Sequence, residues 1–416
     1  MGLISKLGRM WLTRCFKPFI FKNEYDEVLP YMECDNLGLY VHIPFCKSLC
    51  NFCPYCKVKY DEALANEYID YLIKEIHLVA LNNEKKQVTS LYFGGGTPAL
   101  VKSRIKEIIE ALKEHFIISE GIGIELHPDD VTIDTLTILK DAGVTKISIG
   151  IQSFQDKYQY ILGRKKVDPL KLKEALDKIK FETVSMDFIF ALPNQTLDDL
   201  IKDIETAFMI GANHFAMYPF IDFNFTPSNV KAMKKREKER LLNDITKYCM
   251  EKGYTRNTIW TFSNNNDANY SSMTRDNFLG FGASATTLLN HQFKINTFSI
   301  IDYIERIKQN LLPTSLTLRF TKRQRMVYYL FWTAYSTKVN KDDFDKFFKT
   351  SLQKMYGFEL LVARIMGFVK KKGNVYEMTL KGAFYYHYYE NFYTLAYIDK
   401  MWGILRHEAF PKQIKL

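Results

Sequence analysis

The chain lacks any apolar run that could cross a membrane, since no stretch approaches the ~20 consecutive apolar residues of a transmembrane helix. It also lacks internal repeats, low-complexity segments, and the long apolar centre and small-residue cleavage site of a signal peptide. With 416 residues, 47% of them hydrophobic, the chain can bury a large core. We expect a globular protein with one barrel-sized domain and a smaller one.

Cysteines are few and unevenly placed. The chain has 7, of which Cys15, Cys34 and Cys249 are scattered along its length. This scatter argues against a disulfide framework and for a reducing compartment, so we expect a cytoplasmic protein. The other four cysteines fall within one short segment, which is improbable by chance.

The first 22 residues have no acidic side chain. Five basic residues are interleaved there with apolar ones, namely Lys6, Arg9, Arg14, Lys17 and Lys22. The pattern predicts a basic amphipathic helix, and we favour a helix packed on the protein over one that contacts an anionic membrane. The net charge of +10 is spread over helical stretches with interspersed acids, so we expect no binding of nucleic acid.

From Leu39 onward, short apolar runs alternate with longer amphipathic segments. This alternation predicts an α/β fold, an incomplete (β/α)6 barrel in which crossover helices join parallel strands. The six runs are Leu39–Ile43, Ser90–Phe93, Gly123–Leu126, Lys146–Ile151, Val184–Phe190 and His214–Tyr218.

The pattern changes beyond the barrel. We predict a basic arm (1–36), the barrel (37–225), a barrel extension or linker region (226–315) and a mainly helical domain (316–416). In the last region, three helices and a hairpin at Val369–Met378 resemble a winged-helix fold, and a long aromatic helix, Ala383–Arg406, follows. Its residues 385–389 could line a flat apolar pocket, although an aromatic core is the simpler interpretation.

Cys46, Cys50 and Cys53 directly follow the first predicted strand, with three and then two residues between them. Three thiolates on one loop suit an iron–sulfur cluster whose fourth iron stays open. Structural zinc is the alternative, because Cys56 follows at another two-residue spacing, but such sites usually separate two cysteine pairs by a longer stretch. Inert buried cysteines are the weakest interpretation.

Polar residues follow the next strands at the barrel edge where chemistry collects. They are Gly94-Gly95-Gly96-Thr97-Pro98, Glu125, Gln152-Ser153-Phe154 and Asp187. The glycines allow either close approach of a ligand to the backbone or a tight turn, and no Gly-Lys-Ser/Thr signature supports a phosphate loop. Glu125 and Asp187 could bind ribose hydroxyls or an amine, and Arg164 could bind a carboxylate or form a surface salt bridge.

Together these motifs resemble the radical S-adenosylmethionine enzymes, and within them the branch of oxygen-independent coproporphyrinogen III oxidase. The resemblance covers about residues 37 to 218. It rests on Tyr40–Cys46, the cysteine spacing, Tyr92–Pro98, Ile149–Phe154 with Leu162–Arg164, and Asp187–Pro193.

The resemblance implies a [4Fe–4S] cluster on Cys46, Cys50 and Cys53, with one S-adenosylmethionine on the open iron. An electron from a flavodoxin- or ferredoxin-type donor would cleave that molecule to methionine and a 5′-deoxyadenosyl radical. Tyr40, Gly95 and Glu125 would contact this first S-adenosylmethionine. Contacts to a second molecule would come from Phe52, Gly96, Thr97, Gln152, Arg164 and Asp187.

The branch contains several activities, all on heme or a related porphyrin. Its heme chaperones carry a His-Asn-x-x-Tyr-Trp stretch that Asn269–Phe278 lacks, and its coproporphyrinogen enzyme places a fourth cysteine closer to the third than Cys56 is to Cys53. The region Tyr270–Ala285 resembles the anaerobic heme-degrading methyltransferases. The resemblance thus implies an enzyme that opens the heme ring with methyl transfer and releases iron, with coproporphyrinogen III oxidation and heme carriage as alternatives.

Overall fold

Strands and helices alternate through the first half of the chain, within the residues 3–80, 84–264 and 276–416 that the computed structural model describes. In chain order the elements are α1 (Leu3–Thr13), β1 (Ile20–Lys22), β2 (Leu37–Ile43), β3 (Phe45–Cys46), β4 (Val58–Lys59), α2 (Glu62–Val79), β5 (Lys86–Val88), β6 (Leu91–Gly95), α3 (Lys102–His115), β7 (Phe116–Ile118), β8 (Ile122–Leu126), α4 (Ile133–Asp141), β9 (Lys146–Gln152), α5 (Asp156–Ile161), α6 (Pro169–Lys178), β10 (Thr183–Phe190), α7 (Leu197–Met209) and β11 (His214–Pro219).

The six predicted barrel strands lie side by side and parallel, in the order β2, β6, β8, β9, β10 and β11. Their crossover helices cover the outer face of the sheet with one apolar side each. On α3, for example, Ile105, Ile108, Ile109 and Leu112 are buried at the three- and four-residue spacing of a helix face. The carboxyl ends of the strands therefore meet at one edge, and the predicted incomplete α/β barrel is confirmed.

The chain after β11 extends the same sheet. Its elements are α8 (Lys235–Glu251), β12 (Thr255–Arg256), β13 (Thr261–Ser263), β14 (Asn277–Phe281), β15 (Thr286–Leu289), β16 (Gln292–Asn296), α9 (Ile300–Lys308) and β17 (Thr314–Arg319). Strand β14 lies parallel to β2 on its free side, and β15, β16 and β17 continue from it as antiparallel neighbours.

The helical C-terminal region contains the predicted three helices and hairpin. Its elements are α10 (Lys322–Tyr335), β18 (Lys338–Asn340), α11 (Lys341–Phe348), α12 (Leu352–Ile365), β19 (Val369–Lys372), β20 (Val375–Met378), α13 (Leu380–Tyr393), α14 (Asp399–Leu405) and β21 (Gln413–Lys415). Strand β18 adds to the hairpin, and Met326, Phe344 and Leu352 form a small separate core. The predicted long aromatic helix is α13 and α14, joined by a π-helical turn at Thr394–Ile398.

Both ends of the chain join the large sheet. Strand β1 pairs antiparallel with β17, where Lys22 faces Thr317, and with β21, where Phe21 faces Ile414. Strands β1 and β21 have only three residues each, which is too short for a hydrophobic pattern to predict a strand. The sheet therefore runs from the barrel across to a strand pair contributed by residues 20–22 and 413–415.

Helix α1 packs on the helical C-terminal region, as we expected. The Trp11 ring meets Phe358 edge-on at 6.2 Å, Arg14 pairs with Glu359 at 3.0 Å, and the Arg323 Nε donates to the Leu12 carbonyl oxygen. Among the helices of the described ranges, none has the length and apolar character of a membrane span.

Candidate functional site

The cysteine loop closes directly on the carboxyl end of β2. Cys46 lies in β3, which pairs in parallel with β4. Residues 47–57 therefore form a loop whose two ends are held together by this strand pair. Two backbone bonds fix that base, from the Val58 amide to the Pro44 carbonyl oxygen at 2.7 Å and from the Tyr60 amide to that of Cys46 at 2.9 Å. Cys46, Cys50 and Cys53 are half-buried free thiols on this loop.

Cys56 differs from these three cysteines. It is buried, and its thiol donates to the Phe298 carbonyl oxygen at 3.3 Å. It packs in an apolar cluster with Phe21, Ile295 and Met401. A structural zinc site takes four protein ligands, so three available thiols with Cys56 engaged elsewhere fit the iron–sulfur interpretation better than zinc.

Burial affects the ionisation of the thiols on the cysteine loop. Burial raises the pKa of Cys46 to about 11 and also raises that of Cys50, which Arg164 counteracts. The Thr97 hydroxyl donates to the Cys46 sulfur at 3.8 Å. Thiols that are protonated at neutral pH ligate by releasing their protons to solvent, which the partial exposure of the loop permits.

The triple glycine packs against the cysteine loop. A Cβ on Gly96 would lie 2.5 Å from the Phe45 carbonyl oxygen, and the Gly96 amide donates to the Ile43 carbonyl oxygen at 2.8 Å. Gly95 has φ +117°, and a Cβ there would lie 2.7 Å from the His42 ring. Of the two interpretations of this motif, the tight turn accounts for Gly96, whereas Gly95 also borders the cavity described below.

His42 links the barrel to the cysteine loop. Its Nε2 lies 3.0 Å from the Cys56 carbonyl oxygen, and its Nδ1 lies 3.0 Å from the Tyr40 hydroxyl. A carbonyl oxygen only accepts, so Nε2 carries the proton and Nδ1 accepts from Tyr40. Burial lowers the pKa of His42 to about 4, so the ring is neutral.

Two carboxyl groups face the barrel interior. Glu125 accepts from the Gly95 amide and the Tyr92 hydroxyl, both at 3.2 Å, and Asp187 accepts from the Ser148 hydroxyl at 2.9 Å. Burial raises the pKa of each to about 7, and the nearby Asp187 contributes to the shift of Glu125. Near neutral pH both groups are therefore poised to ionise when a cation approaches.

Gln152 and Arg164 lie near the carboxyl end of β9. Gln152 has φ +71°, an unfavourable conformation for its residue type. Arg164 donates to the Gly150 carbonyl oxygen at 2.7 Å, and burial lowers its pKa. Within the described residues Arg164 forms no ion pair, so the surface salt bridge alternative is wrong.

The loop that carries Gln152 is held by a residue that the sequence did not single out. Asp203 on α7 accepts from the Ser153 hydroxyl at 2.7 Å and the Phe154 amide at 2.8 Å. Burial raises the pKa of this carboxyl to about 6. No strand-end motif predicts Asp203, because it acts from the middle of a helix.

Arg406 is the second residue that sequence reasoning missed. From the end of α14 its guanidinium donates to the carbonyl oxygens of Pro54 and Tyr55, and it lies over the Phe225 ring at 4.7 Å. The C-terminal region thereby fixes the last part of the cysteine loop. Since the acceptors are backbone atoms, no residue pattern in the loop could indicate this contact.

A cavity of about 700 Å³ lies between the barrel and the C-terminal region. Tyr40, His42, Gly95 and Glu125 form its barrel side. Its other walls are mostly aromatic and include Phe293, Phe298, Phe320, Tyr328, Trp332 and Trp402. The site is thus a large apolar space that adjoins two of the strand-end motifs.

The aromatic residues of α13 divide between the two predicted roles. Tyr386 lines the cavity and stacks on Phe331 at 5.0 Å, while His387 is buried against Phe190 and Trp260. Tyr385 and Tyr388 are exposed. The side chain of residue 389 lies outside the described part of the structure.

Comparison with known proteins agrees with this geometry. Residues 40–207 match the Radical SAM superfamily. The heme chaperone HemW of Bacillus subtilis is 28% identical over 304 residues, 69% of this chain and 80% of the relative. HemW of Buchnera aphidicola subsp. Schizaphis graminum is 26% identical over 364 residues, 83% of this chain and 95% of the relative.

A second group of relatives consists of coproporphyrinogen III oxidases. The oxygen-independent coproporphyrinogen III oxidase of Pseudomonas aeruginosa is 28% identical over 193 residues, 44% of this chain and 42% of the relative. The solved structure of coproporphyrinogen III oxidase (HemN) from Escherichia coli covers 95% of this chain and 98% of its own, with a TM-score of 0.75 at 20% identity. The fold is therefore shared over almost the whole length of both chains.

These comparisons correct one prediction. The prediction of a heme-degrading methyltransferase that opens the porphyrin ring is wrong, because the relatives are named heme chaperones and coproporphyrinogen III oxidases. That prediction rested on the region Tyr270–Ala285, of which residues 270–275 lie outside the described structure. The matching sequence motifs belong to the shared barrel and do not separate the activities of the branch.

The matched segment contains the cysteine loop, the triple glycine and both buried carboxyl groups. The superfamily uses a [4Fe–4S] cluster and S-adenosylmethionine, and these are the cofactors of the domain. Residues 40–207 of this chain thus match the Radical SAM superfamily, and the chain is similar to the branch that includes the oxygen-independent coproporphyrinogen III oxidases and the heme chaperones.

Proposed function

We propose that this protein is a radical SAM enzyme that binds a porphyrinogen in the cavity and converts coproporphyrinogen III to protoporphyrinogen IX by oxidative decarboxylation. The observation that carries the proposal is the cavity of about 700 Å³, whose aromatic walls adjoin Tyr40, Gly95 and Glu125. The macrocycle of a tetrapyrrole is largely apolar and requires walls of this kind, with few polar groups to orient it. The coproporphyrinogen III oxidase relatives support the same reaction.

The cysteine loop would hold the cluster through Cys46, Cys50 and Cys53, with Cys56 fixing the loop from behind. When bound, the cluster and S-adenosylmethionine supply a 5′-deoxyadenosyl radical, after an electron from a flavodoxin- or ferredoxin-type donor. The protein supplies placement and excludes water. The position of the cavity beside Tyr40 and Gly95 would bring the substrate next to that radical.

The carboxyl groups would bind the cationic cofactor. S-adenosylmethionine carries a sulfonium charge, and a nearby positive charge favours the ionised form of an acid whose pKa is about 7. We assign Glu125 with Tyr40 and Gly95 to the first S-adenosylmethionine. Contacts to a second molecule are assigned to Phe52, Gly96, Thr97, Gln152, Arg164 and Asp187.

Heme carriage is the second candidate, because the HemW relatives match over 80% and 95% of their lengths. A carrier of heme needs a side chain free to ligate iron. Among the described residues that line the cavity, His42 is the one histidine, and both of its ring nitrogens are engaged. This favours a porphyrin without iron, although Met401 and several tyrosines also line the space.

The test is an anaerobic assay of reconstituted protein with S-adenosylmethionine and a reductant, given either coproporphyrinogen III or heme, with products followed by mass spectrometry. We expect protoporphyrinogen IX from the first substrate and unchanged heme from the second. The Cys50→Ala variant should lose all cleavage of S-adenosylmethionine, whereas Cys15→Ser, a thiol outside the loop, should keep it.

Three outcomes separate the alternatives. Heme that binds tightly in stoichiometric amount, without turnover of coproporphyrinogen III, would establish the carrier. Cleavage of S-adenosylmethionine by Cys50→Ala would contradict the cluster assignment. A protein that neither binds nor converts any porphyrin would contradict the proposed function.

A further inference from the structure

The N-terminal arm builds one wall of the cavity. Arg9, Leu12 and Thr13 lie in α1, Phe19 directly precedes β1, and Phe21 lies in β1. These residues face a space that the barrel borders with Tyr40 and Glu125. A ligand bound there would therefore contact the arm as well as the barrel.

Arg9 is unusual among these residues, because it is a buried cation with an unsatisfied donor. It is only 6% exposed, and its Nη1 donates to the carbonyl oxygens of Lys17 at 2.6 Å and Cys15 at 3.4 Å. Its Nε is buried and has no hydrogen-bond partner. A guanidinium group is always charged, so this donor and its charge both favour an anionic acceptor that the protein itself does not provide.

The glutamate side chains of the cavity do not supply that acceptor. Glu359 also lines the cavity, but it pairs with Arg14 at 3.0 Å and Arg323 at 3.7 Å. Glu125 bonds to the barrel residues Gly95 and Tyr92. Within the described part of the chain Arg9 has no ion pair, and it is the one lysine or arginine that lines the cavity.

We infer that Arg9 is the anchor for a carboxylate side chain of the porphyrin ligand. This inference rests on the proposed function and names the group that would orient the substrate. The apolar walls would hold the ring by its faces, and the guanidinium would bind a propionate at the ring edge. The Phe19 ring, with Arg9 at 5.5 Å over it, keeps the cation beside the apolar wall.

The test measures binding of two ligands to the full-length reconstituted protein, coproporphyrin III and its tetramethyl ester, in which the four carboxylates are methylated and uncharged. We expect Arg9→Gln to weaken binding of the free acid by about tenfold or more and to leave the ester unchanged. Arg9→Lys, which keeps the charge, should retain part of the preference for the acid. Lys22→Gln, which removes an exposed cation of β1 that pairs with Glu24 at 3.2 Å and does not line the cavity, should bind both ligands as the wild type does.

The comparison of ligands separates an anchoring role from a structural one. Equal loss of acid and ester binding in Arg9→Gln would mean that Arg9 only holds the turn at Cys15 and Lys17, and would overturn the inference while the proposed function stands. A wild-type protein that binds neither ligand would overturn both. A thermal melt of each variant reports whether it is folded.

Discussion

Glu125 and Asp187 are buried carboxyl groups whose ionisation depends on the charges around them. Each lies on the inner side of a barrel strand, where burial holds its pKa near 7 although the ordinary values are 4.5 and 3.8. The barrel therefore carries two acids that are costly to ionise together. A bound cation would offset that cost, which is the arrangement expected of a binding site and not of a core built for stability.

Glu125→Gln should stabilise the folded protein at high pH. The folded state binds the Glu125 proton more tightly than the unfolded state, so this residue lowers stability progressively as pH rises from about 4.5 to 7. The side chain is half-buried toward the cavity, and we expect the variant to gain about 1–3 kcal/mol at pH 8 and almost nothing at pH 4.5. Urea denaturation at both pH values measures the difference.

The control for this prediction is Glu120→Gln, at a carboxyl outside the site on the segment before β8. It should change stability little at either pH. An equal effect of Glu125→Gln at pH 4.5 and pH 8 would show that the buried charge is not the cause. Loss of S-adenosylmethionine binding in the Glu125 variant, with this gain in stability, would match the role assigned to the carboxyl group.

At the scale of single elements, the cysteine loop depends on contacts from distant parts of the chain. The base of the loop is fixed by β3 and β4, but its far part is fixed by Arg406 at the end of α14 and by His42 on β2. All of these contacts reach backbone carbonyl oxygens. The loop is therefore held by β2, β3, β4 and the end of α14, whereas its sequence shows only the thiols.

Arg406→Ala should loosen the loop and impair cluster assembly. The substitution removes charged hydrogen bonds to the Pro54 and Tyr55 carbonyl oxygens, each worth about 1.5–3 kcal/mol. We expect faster hydrogen exchange in residues 50–57 and less iron per chain after anaerobic reconstitution. His407→Ala, at the exposed neighbouring position, should match the wild type in both measurements; wild-type exchange in the Arg406 variant would contradict the role.

The parallel strands were predictable for a physical reason that did not apply to the rest of the sheet. A strand buried on both faces is apolar throughout, so β6 and β10 are visible as runs such as Leu91–Phe93 and Phe188–Phe190. Strands β1 and β21 have three residues each and gain their identity from partners hundreds of positions away. The hydrophobic pattern of a short segment does not indicate which distant strand it pairs with, so these pairings could not be predicted from the sequence.

The site divides in the same way. Thiols and strand-end acids are reactive side chains, and glycines allow a ligand to approach the backbone, so residue type and spacing indicated Cys46, Gly95, Glu125 and Asp187. Asp203 and Arg406 act on backbone groups of other elements, and only the folded chain brings them there. Substrate identity was the least predictable, because the cavity wall comes from segments scattered between Arg9 and Leu416.

At the scale of the whole molecule, the two ends of the chain stabilise one another. Strand β21 has a single buried position, Ile414, which packs with Phe21 and Leu405. The same strand pairs with β1, which leads back to the arm that covers the cavity. The arm should therefore depend on contacts made by the last residues.

Ile414→Ala should destabilise the protein and release the arm. Truncation of a fully buried aliphatic side chain costs about 2–4 kcal/mol, and here the loss falls on the pairing of β1 with β21. Limited trypsin digestion should cut faster after the basic residues between Lys6 and Lys22. Gln413→Ala, exposed on the same strand, should be cut at the wild-type rate. An Ile414→Ala protein that is also cut at the wild-type rate would contradict the dependence of the arm on β21.

The pairing of β1 with β17 and β21 also sets an order of events during synthesis. Residues 20–22 leave the ribosome early but must wait for residues 314–319 and 413–415 before they have a partner. The cysteine loop and its parallel strands can fold in that interval, since domains fold as they emerge. The cysteine loop would therefore still be accessible for cluster assembly in that interval. The wall of the cavity that the arm forms would be complete only when residues 413–415 pair with residues 20–22.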